Sequence, residues 1–155
     1  MFAERTSVEQ VELGGDLAPR FDAEGLMPVV VVNAEDQTIL MLGYMNVEAL
    51  ERTLRTREAH FWSRSRRALW RKGEHSGFTQ KVERILIDDD QDSLVLAVTI
   101  DGPGSCHVGF RSCFYRRIDL DTLADENPAR LHRVESEAAF DAEAVYAGLP
   151  NPTRV

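Results

Sequence analysis

The chain carries a dense acidic motif, Asp88-Asp89-Asp90-Gln91-Asp92, directly after an apolar segment. In an extended chain successive side chains alternate between faces, so we expect Asp88, Asp90 and Asp92 on one face and Asp89 on the other. Three carboxylates on one face repel each other unless a cation lies among them, and oxygen ligands suit Mg²⁺. The alternative is a solvated acidic turn, because aspartate is a common turn residue.

A second motif combines Cys106 and His107 with Cys113, and glycines lie at positions 104 and 109. Thiolate and imidazole groups are ligands of Zn²⁺. The spacing of the two cysteines is not that of a zinc finger, so packing is the alternative reading, and a third ligand has to come from elsewhere in the fold or from another chain. His107 is also a candidate for proton transfer, because an unperturbed imidazole titrates near neutral pH.

Hydroxyl groups, basic side chains and glycines cluster between positions 61 and 77. Such groups bind phosphate oxygens, and an indole ring serves equally well in a core or as a base-stacking surface. The basic stretch indicates a solvated face or a site for a small phosphorylated ligand, while the net charge of −8 argues against general nucleic-acid binding. The candidate substrate-binding residues are Ser63, Arg64, Ser65, Arg66, Trp70, Lys72, Gly73 and Ser76.

The strands and helices expected around these motifs indicate a β-rich α+β fold, with antiparallel hairpins and one main helix. Apolar and β-branched runs predict hairpins over 27–44 and 60–72, two further strands over 80–88 and 93–101 on either side of the acidic motif, and a last strand over 114–118. A helix is expected over about 47–57, with Asn46 as its N-cap and Glu48 in its first turn. A short amphipathic helix is expected over 135–146. We expect an N-terminal extension over 1–26, a catalytic domain over 27–118 and an acidic C-terminal extension over 119–155.

Length and composition are those of a small globular protein. The 155 residues allow one domain with a core, and no apolar run approaches the roughly 20 residues that a membrane-spanning helix needs. The first residues lack the apolar segment of a secretory signal, which favours a cytoplasmic protein. In that compartment the two cysteines are better suited to metal ligation or packing than to a disulfide.

Three segments in this order, FWSRSRRALWRKGEHSGFTQKV, IDDDQDSLVLAV and GSCHVGFRSCFY, resemble the phosphoribosyl-AMP cyclohydrolase family of histidine biosynthesis. The resemblance covers about residues 27–116. It implies an intertwined homodimer that hydrolyses the N1–C6 bond of phosphoribosyl-AMP, with Mg²⁺ and Zn²⁺ near the subunit interface. It also implies magnesium carboxylates and zinc thiolates, with His107 as the histidine that follows a thiolate. The carboxylates are Asp88, Asp90 and Asp92, and the thiolates are Cys106 and Cys113.

The chain departs from the family pattern Asp-Cys-Asp-x-Asp at Asp89, which stands where the remaining zinc thiolate is supplied across the dimer. A carboxylate can bind Zn²⁺, but the site becomes less soft, so Mn²⁺ or Fe²⁺ are alternative metals. His75 and Phe78 also stand at varied positions, and His75 is either a substitute ligand or a solvent-facing loop residue. Two other functions stay open: a paralogue with altered metal use or another purine nucleotide as substrate, and a catalytically silent nucleotide- or metal-binding protein.

Overall fold

The computed structural model describes residues 1–121 and 128–153. In chain order the elements are α1 (Val8–Leu13), β1 (Met27–Asn33), β2 (Ile39–Met45), α2 (Val47–Thr56), β3 (His60–Ser63), β4 (Ala68–Arg71), β5 (Gln80–Ile87), β6 (Leu94–Ile100), β7 (Arg116–Ile118), β8 (Leu131–Arg133) and α3 (Ala142–Val145). Within these ranges, every helix is too short or too polar to cross a bilayer.

A mixed four-stranded sheet, in the order β2-β1-β6-β5, forms the centre of the molecule. The pairs β1–β2, β3–β4 and β5–β6 are antiparallel, which confirms the predicted hairpins and the two strands expected on either side of the acidic motif. The two hairpins of the main sheet meet through a parallel pair, with Val29 opposite Leu94 and Asn33 opposite Val98. The sequence analysis did not foresee this junction, because hairpin patterns report only neighbouring strands.

One face of the sheet is the core, and α2 and the β3–β4 hairpin cover it. Fully buried residues of alternating strand positions, such as Val29, Val31 and Leu96, pack there with Phe61 of β3. Gly43 allows this approach, since a Cβ at position 43 would lie 2.8 Å from the Phe61 ring. The strands therefore bury the alternate positions that their apolar pattern indicates.

Helix α2 confirms the helix expected over 47–57. The Asn46 side chain accepts a hydrogen bond from Ala49 N, and the helix ends at Arg57 in the left-handed region at φ 56°. Thr53 Oγ1 donates to Ala49 O and accepts from His60 N, at 2.8 and 3.0 Å. These bonds tie the helix to the start of β3, where the basic hairpin begins.

The opposite face of the sheet presents an apolar row that is only partly covered. Leu42, Val30, Val95 and Leu86 are direct cross-strand neighbours on β2, β1, β6 and β5. Leu42 is 48% exposed and Leu86 52% exposed, while the two valines between them are half-buried. We call these four residues the apolar row.

The C-terminal segment differs from the expectation of a helix over 135–146. Only α3, Ala142–Val145, is helical, because the amides of Ala139 and Phe140 donate to Gly109 O instead of to a helical turn. The strand expected over 114–118 begins at Arg116, since Phe114 N donates to Ser112 Oγ in a turn. The sequence analysis did not predict α1 and β8, and the domain limits stay predictions.

Candidate active site

The acidic motif forms the tight turn between β5 and β6. Asp88 N donates to Ser93 O, Gln91 N donates to Asp88 O, and Gln91 adopts φ 57°. The Asp88 carboxylate accepts hydrogen bonds from the amides of Asp92 and Ser93, at 2.9 and 3.0 Å, and from Ser93 Oγ. Burial of Asp88 opposes its charged form, but the hydrogen bonds from Ser93 and Asp92 hold its pKa below the usual value. Asp88 is therefore an anchored carboxylate.

The face alternation expected for the four aspartates is wrong, because the extended strand ends before them. Asp88, Asp89 and Asp90 each offer a carboxylate oxygen, and these oxygens lie within 4.8 Å of one another. Asp89 thus lies on the same side as Asp88 and Asp90. A convergent set of hard oxygen donors fits a cation such as Mg²⁺.

Arg20 from the N-terminal segment lies at this turn, which the sequence analysis missed. Its guanidinium group donates to the carboxylates of both Asp90 and Asp92, and the bond to Asp92 raises the pKa of Arg20. A cavity of about 370 Å³ opens beside this contact, lined by Arg20, Phe21, Asp22, Leu26, Pro28 and Asp92. Arg20 is 70 positions from Asp90, so no local pattern could have revealed the pair.

Gln91 fastens the N-terminal segment to the acidic turn. Its side chain is buried, with Oε1 accepting from Ala18 N at 2.8 Å and Nε2 donating to Val11 O at 2.9 Å. Its carbonyl oxygen accepts from Arg20 N at 2.7 Å. Gln91 therefore braces the acidic turn against the N-terminal segment.

The second motif folds into a loop that brings Cys106 and Cys113 together. Ser105 N donates to Arg111 O, Cys106 N donates to Phe110 O, and Cys113 N donates to Leu40 O. The hydrogen bond between the thiols lowers the pKa of Cys106 to about 6 and raises that of Cys113. These opposite pKa shifts reflect the close approach of the two thiols. Two sulfur donors in contact fit a single Zn²⁺ ion.

Lys72 lies behind this loop and not on the surface where we expected it. It is 8% exposed, and its Nζ donates to Ser105 O at 2.5 Å. Burial lowers the pKa of Lys72, whereas electrostatic interaction with the nearby Cys113 and Cys106 raises it. Lys72 is buried because the β4–β5 connection folds under the loop, and its direct role in substrate binding stays a prediction.

Gln80 is a second buried support that the sequence analysis missed. Its Nε2 donates to Ser105 Oγ at 2.9 Å, and its Oε1 has no hydrogen-bond partner among the described residues. Gln80 and Lys72 together hold Ser105, the residue before Cys106. Lys72 and Gln80 thus fix the backbone that precedes the Cys106 thiol.

His107 is half-buried beside the thiol pair. Burial lowers its pKa, and the Lys72 ammonium group acts in the same direction, against a hydrogen bond with the Asn151 side chain. Thr153 Oγ1 lies 3.5 Å from His107 Nε2. The lowered pKa favours the neutral imidazole, which can accept a proton.

The basic residues of the β3–β4 turn are exposed. Arg66 Nε donates to Ser63 Oγ at 3.1 Å, and the Arg64 guanidinium carbon lies 3.9 Å from the centre of the Tyr44 ring. Ser65 is exposed between them. Trp70 packs its ring on the core residue Phe61, with centroids 5.2 Å apart, and is partly accessible. The turn therefore presents cationic groups that an anion can reach.

The loop after β4 contains the remaining predicted residues. Gly73 adopts φ 88°, and a Cβ there would lie 2.5 Å from Thr79 N, so the turn requires glycine. Ser76 Oγ accepts from Phe78 N. His75 is exposed and belongs to no convergent set of ligands in the part of the chain that the structure describes. This favours the solvent-facing reading of His75.

Strand β6 separates the acidic turn from the cysteine loop. The turn precedes Leu94 and the loop follows Ile100. Seven strand residues span about 20 Å at roughly 3.3 Å per residue. The acidic turn and the cysteine loop therefore begin at opposite ends of this strand.

Comparison with known proteins agrees with the sequence resemblance. A family model described as phosphoribosyl-AMP cyclohydrolase matches residues 41–115. The protein of that name from Rhodopseudomonas palustris (strain HaA2) is 44% identical over 140 residues, covering 90% of this chain and 93% of that protein. Its counterpart in Sinorhizobium medicae (strain WSM419) is 47% identical over 138 residues, covering 88% and 89%. Its counterpart in Chelativorans sp. (strain BNC1) is 50% identical over 120 residues, covering 77% and 84%. The chain belongs to the phosphoribosyl-AMP cyclohydrolase family.

Proposed function

We propose that the protein is a cytoplasmic hydrolase that opens the adenine ring of phosphoribosyl-AMP at its N1–C6 bond, in histidine biosynthesis. Family membership over most of the chain supports the reaction. The observation that carries the chemistry is the thiol pair of Cys106 and Cys113 with the neutral His107 beside it. This arrangement combines metal-ligand atoms with a proton acceptor in one loop.

The two donor sets fit two kinds of metal ion. Carboxylate oxygens of Asp88, Asp90 and Asp92 would hold Mg²⁺, and the thiol pair would hold Zn²⁺ or a substitute such as Mn²⁺ or Fe²⁺. A metal ion bound at the thiol pair would lower the pKa of a water molecule and so make that water a better nucleophile. Asp89 is the proposed third ligand of that site.

His107 is the proposed base. Its neutral imidazole can take a proton from the water whose oxygen bonds to C6, and the same proton can pass to N1 as the N1–C6 bond breaks. Cys106 is buried, and His107 next to it is partly buried and contacts Asn151 and Thr153. His107 would therefore transfer the proton beside the thiol pair.

The exposed turn of β3–β4 is the proposed binding site for the phosphate groups. Arg64 and Arg66 are cationic and exposed, and Ser63 and Ser65 add hydroxyl groups on the same turn. Guanidinium groups form strong charge-assisted bonds to phosphate oxygens. Trp70, Gly73 and Ser76 complete the proposed substrate-binding surface.

A homodimer completes the thiol site in this proposal. Asp89 and the thiol pair lie at opposite ends of β6, so a carboxylate from one protomer has to meet thiols from another. The apolar row on the uncovered face of the sheet supports such an assembly, because Leu42 and Leu86 would leave water when a second copy packs on them. Both observations support the proposal that the partner is a second copy of this chain.

The test is a turnover assay with phosphoribosyl-AMP across a series of divalent metals, with metal analysis of protein purified without added metal. We expect ring opening that requires a metal and that falls by orders of magnitude in Cys106→Ser. Nucleotide binding without turnover under every metal would support the silent binding protein instead. Turnover of another purine nucleotide in preference would support the paralogue.

A further inference from the structure

Glu135, in the segment between β8 and α3, holds the loop that carries Cys113. Its Oε2 accepts a hydrogen bond from Arg111 N and its Oε1 accepts one from Ser112 N, both at 2.9 Å. The two amides are consecutive and directly precede Cys113, so one carboxylate fixes the orientation of both peptide groups. Successive amides that point at one anion form a strong binding arrangement.

The same loop residues have other restraints, among them an ion pair between Arg111 and Asp36 at 2.7 Å. Ser112 is buried and donates its hydroxyl to Ile39 O at 2.6 Å, and Cys113 N donates to Leu40 O at 2.8 Å. These bonds hold the loop to β2, but neither satisfies the amides of residues 111 and 112. Without Glu135, the two amides lose their acceptors in a partly buried place, and the peptide groups before Cys113 lose the contact that fixes their orientation on this side.

The two thiols are therefore positioned from different parts of the chain. Ser105, before Cys106, is held by Lys72 and Gln80 from the sheet. The peptide groups before Cys113 are held by Glu135 from the C-terminal segment. Glu135 also places a negative charge near Cys113. A carboxylate close to a thiol pair favours the binding of a cation over the empty site.

We infer that Glu135 is a positioning residue for the metal ion bound by Cys106 and Cys113, and that the C-terminal segment is thereby part of the metal centre. This inference rests on the proposed function, in which the thiol pair holds a metal ion. Residues that orient metal ligands typically contribute about 10- to 100-fold to metal affinity. The inference assigns a task to a segment outside the region matched by the family model, 41–115.

The test measures metal affinity directly in the full-length protein. Zn²⁺ affinity is determined by competition with a coloured chelator, and Co²⁺ titration follows the thiolate-to-cobalt absorption band. We expect Glu135→Ala to weaken both metals by about 10- to 100-fold, and Glu135→Gln, which keeps one accepting oxygen, to lie between. Glu137→Gln is the matched control, because Glu137 is exposed in the same segment, and its affinity should stay within about twofold.

Equal metal affinity in Glu135→Ala and the unaltered protein overturns the inference, and so does an equal loss in Glu137→Gln. Far-UV circular dichroism and melting of the metal-free Glu135→Gln variant show that it is folded when its affinity is measured. A failure of the proposed function has a different signature. Unaltered protein that binds Zn²⁺ through Cys106 and Cys113 but does not hydrolyse phosphoribosyl-AMP refutes the activity, while the Glu135 comparison still stands.

Discussion

Replacing Gln91 with alanine tests whether the Gln91 side chain holds the N-terminal segment against the acidic turn and thereby stabilises the fold. The substitution removes the acceptor of Ala18 N and the donor to Val11 O, both in buried residues. A buried polar group without a partner costs about 1–3 kcal/mol. Two such groups give an expected loss of about 3 kcal/mol, once partial relaxation and entry of water are considered.

The assay is thermal and urea unfolding combined with limited proteolysis of residues 1–26. For a chain of this length, a loss of about 3 kcal/mol lowers Tm by about 6–12 °C. If the segment detaches before global unfolding, the loss shows instead as rapid cleavage within residues 1–26, because a detached segment exposes its backbone to the protease. Either result indicates that Gln91 fastens the segment to the turn.

Gln37→Ala is the matched control. Gln37 also has a positive φ, 60°, and lies in the turn of another hairpin, but its amide is exposed and only donates to Asn33 O and Ala34 O. Its replacement should change stability by about 0.5 kcal/mol or less. If Gln91→Ala melts within 2 °C, roughly the shift for under 1 kcal/mol, of Gln37→Ala and is cleaved at the same rate, the reasoning is refuted.

Three further predictions concern the metals and the substrate. Asp89→Cys should raise affinity for Zn²⁺ relative to Mn²⁺, since a thiolate is the softer ligand; unchanged selectivity in a competition titration would contradict it. Arg20→Gln should strengthen Mg²⁺ binding measured by calorimetry, because the guanidinium group occupies the carboxylates of Asp90 and Asp92; weaker binding would show that Arg20 supports the site. Arg64→Ala should raise KM with little change in Tm, whereas Lys72→Ala should lower Tm because Lys72 is buried. The reverse pattern would show that Lys72 binds substrate and that Arg64 is structural.

Local patterns predicted most of the central fold. The β1–β2 and β5–β6 hairpins and α2 with its Asn46 cap lie within one or two residues of the expected limits. Each of these depends on contacts between residues close in the chain, such as the Asn46 oxygen and Ala49 N. These elements can be predicted from the sequence because the residues that determine them are close together in the chain. The spacing of Cys106 and Cys113 alone left packing as an alternative, and only the family resemblance implied that the two thiols share a site.

The approach of distant segments followed from packing alone. Arg20 reaches Asp90 across 70 positions, Lys72 reaches Ser105 across 33, and Glu135 reaches Ser112 across 23. The sequence position of a charged or amide side chain does not indicate which distant residue it will contact. Such contacts form only when the strands and loops have packed together.

The acidic motif shows the same limit over a much shorter range. Its residue types indicated a cation site, but the alternation of faces failed where the chain leaves the strand geometry and turns. Residue chemistry is a property of the sequence, whereas the direction of each side chain depends on where the backbone bends. That bend is set by the pairing of β5 with β6 and by the N-terminal segment that packs against the turn.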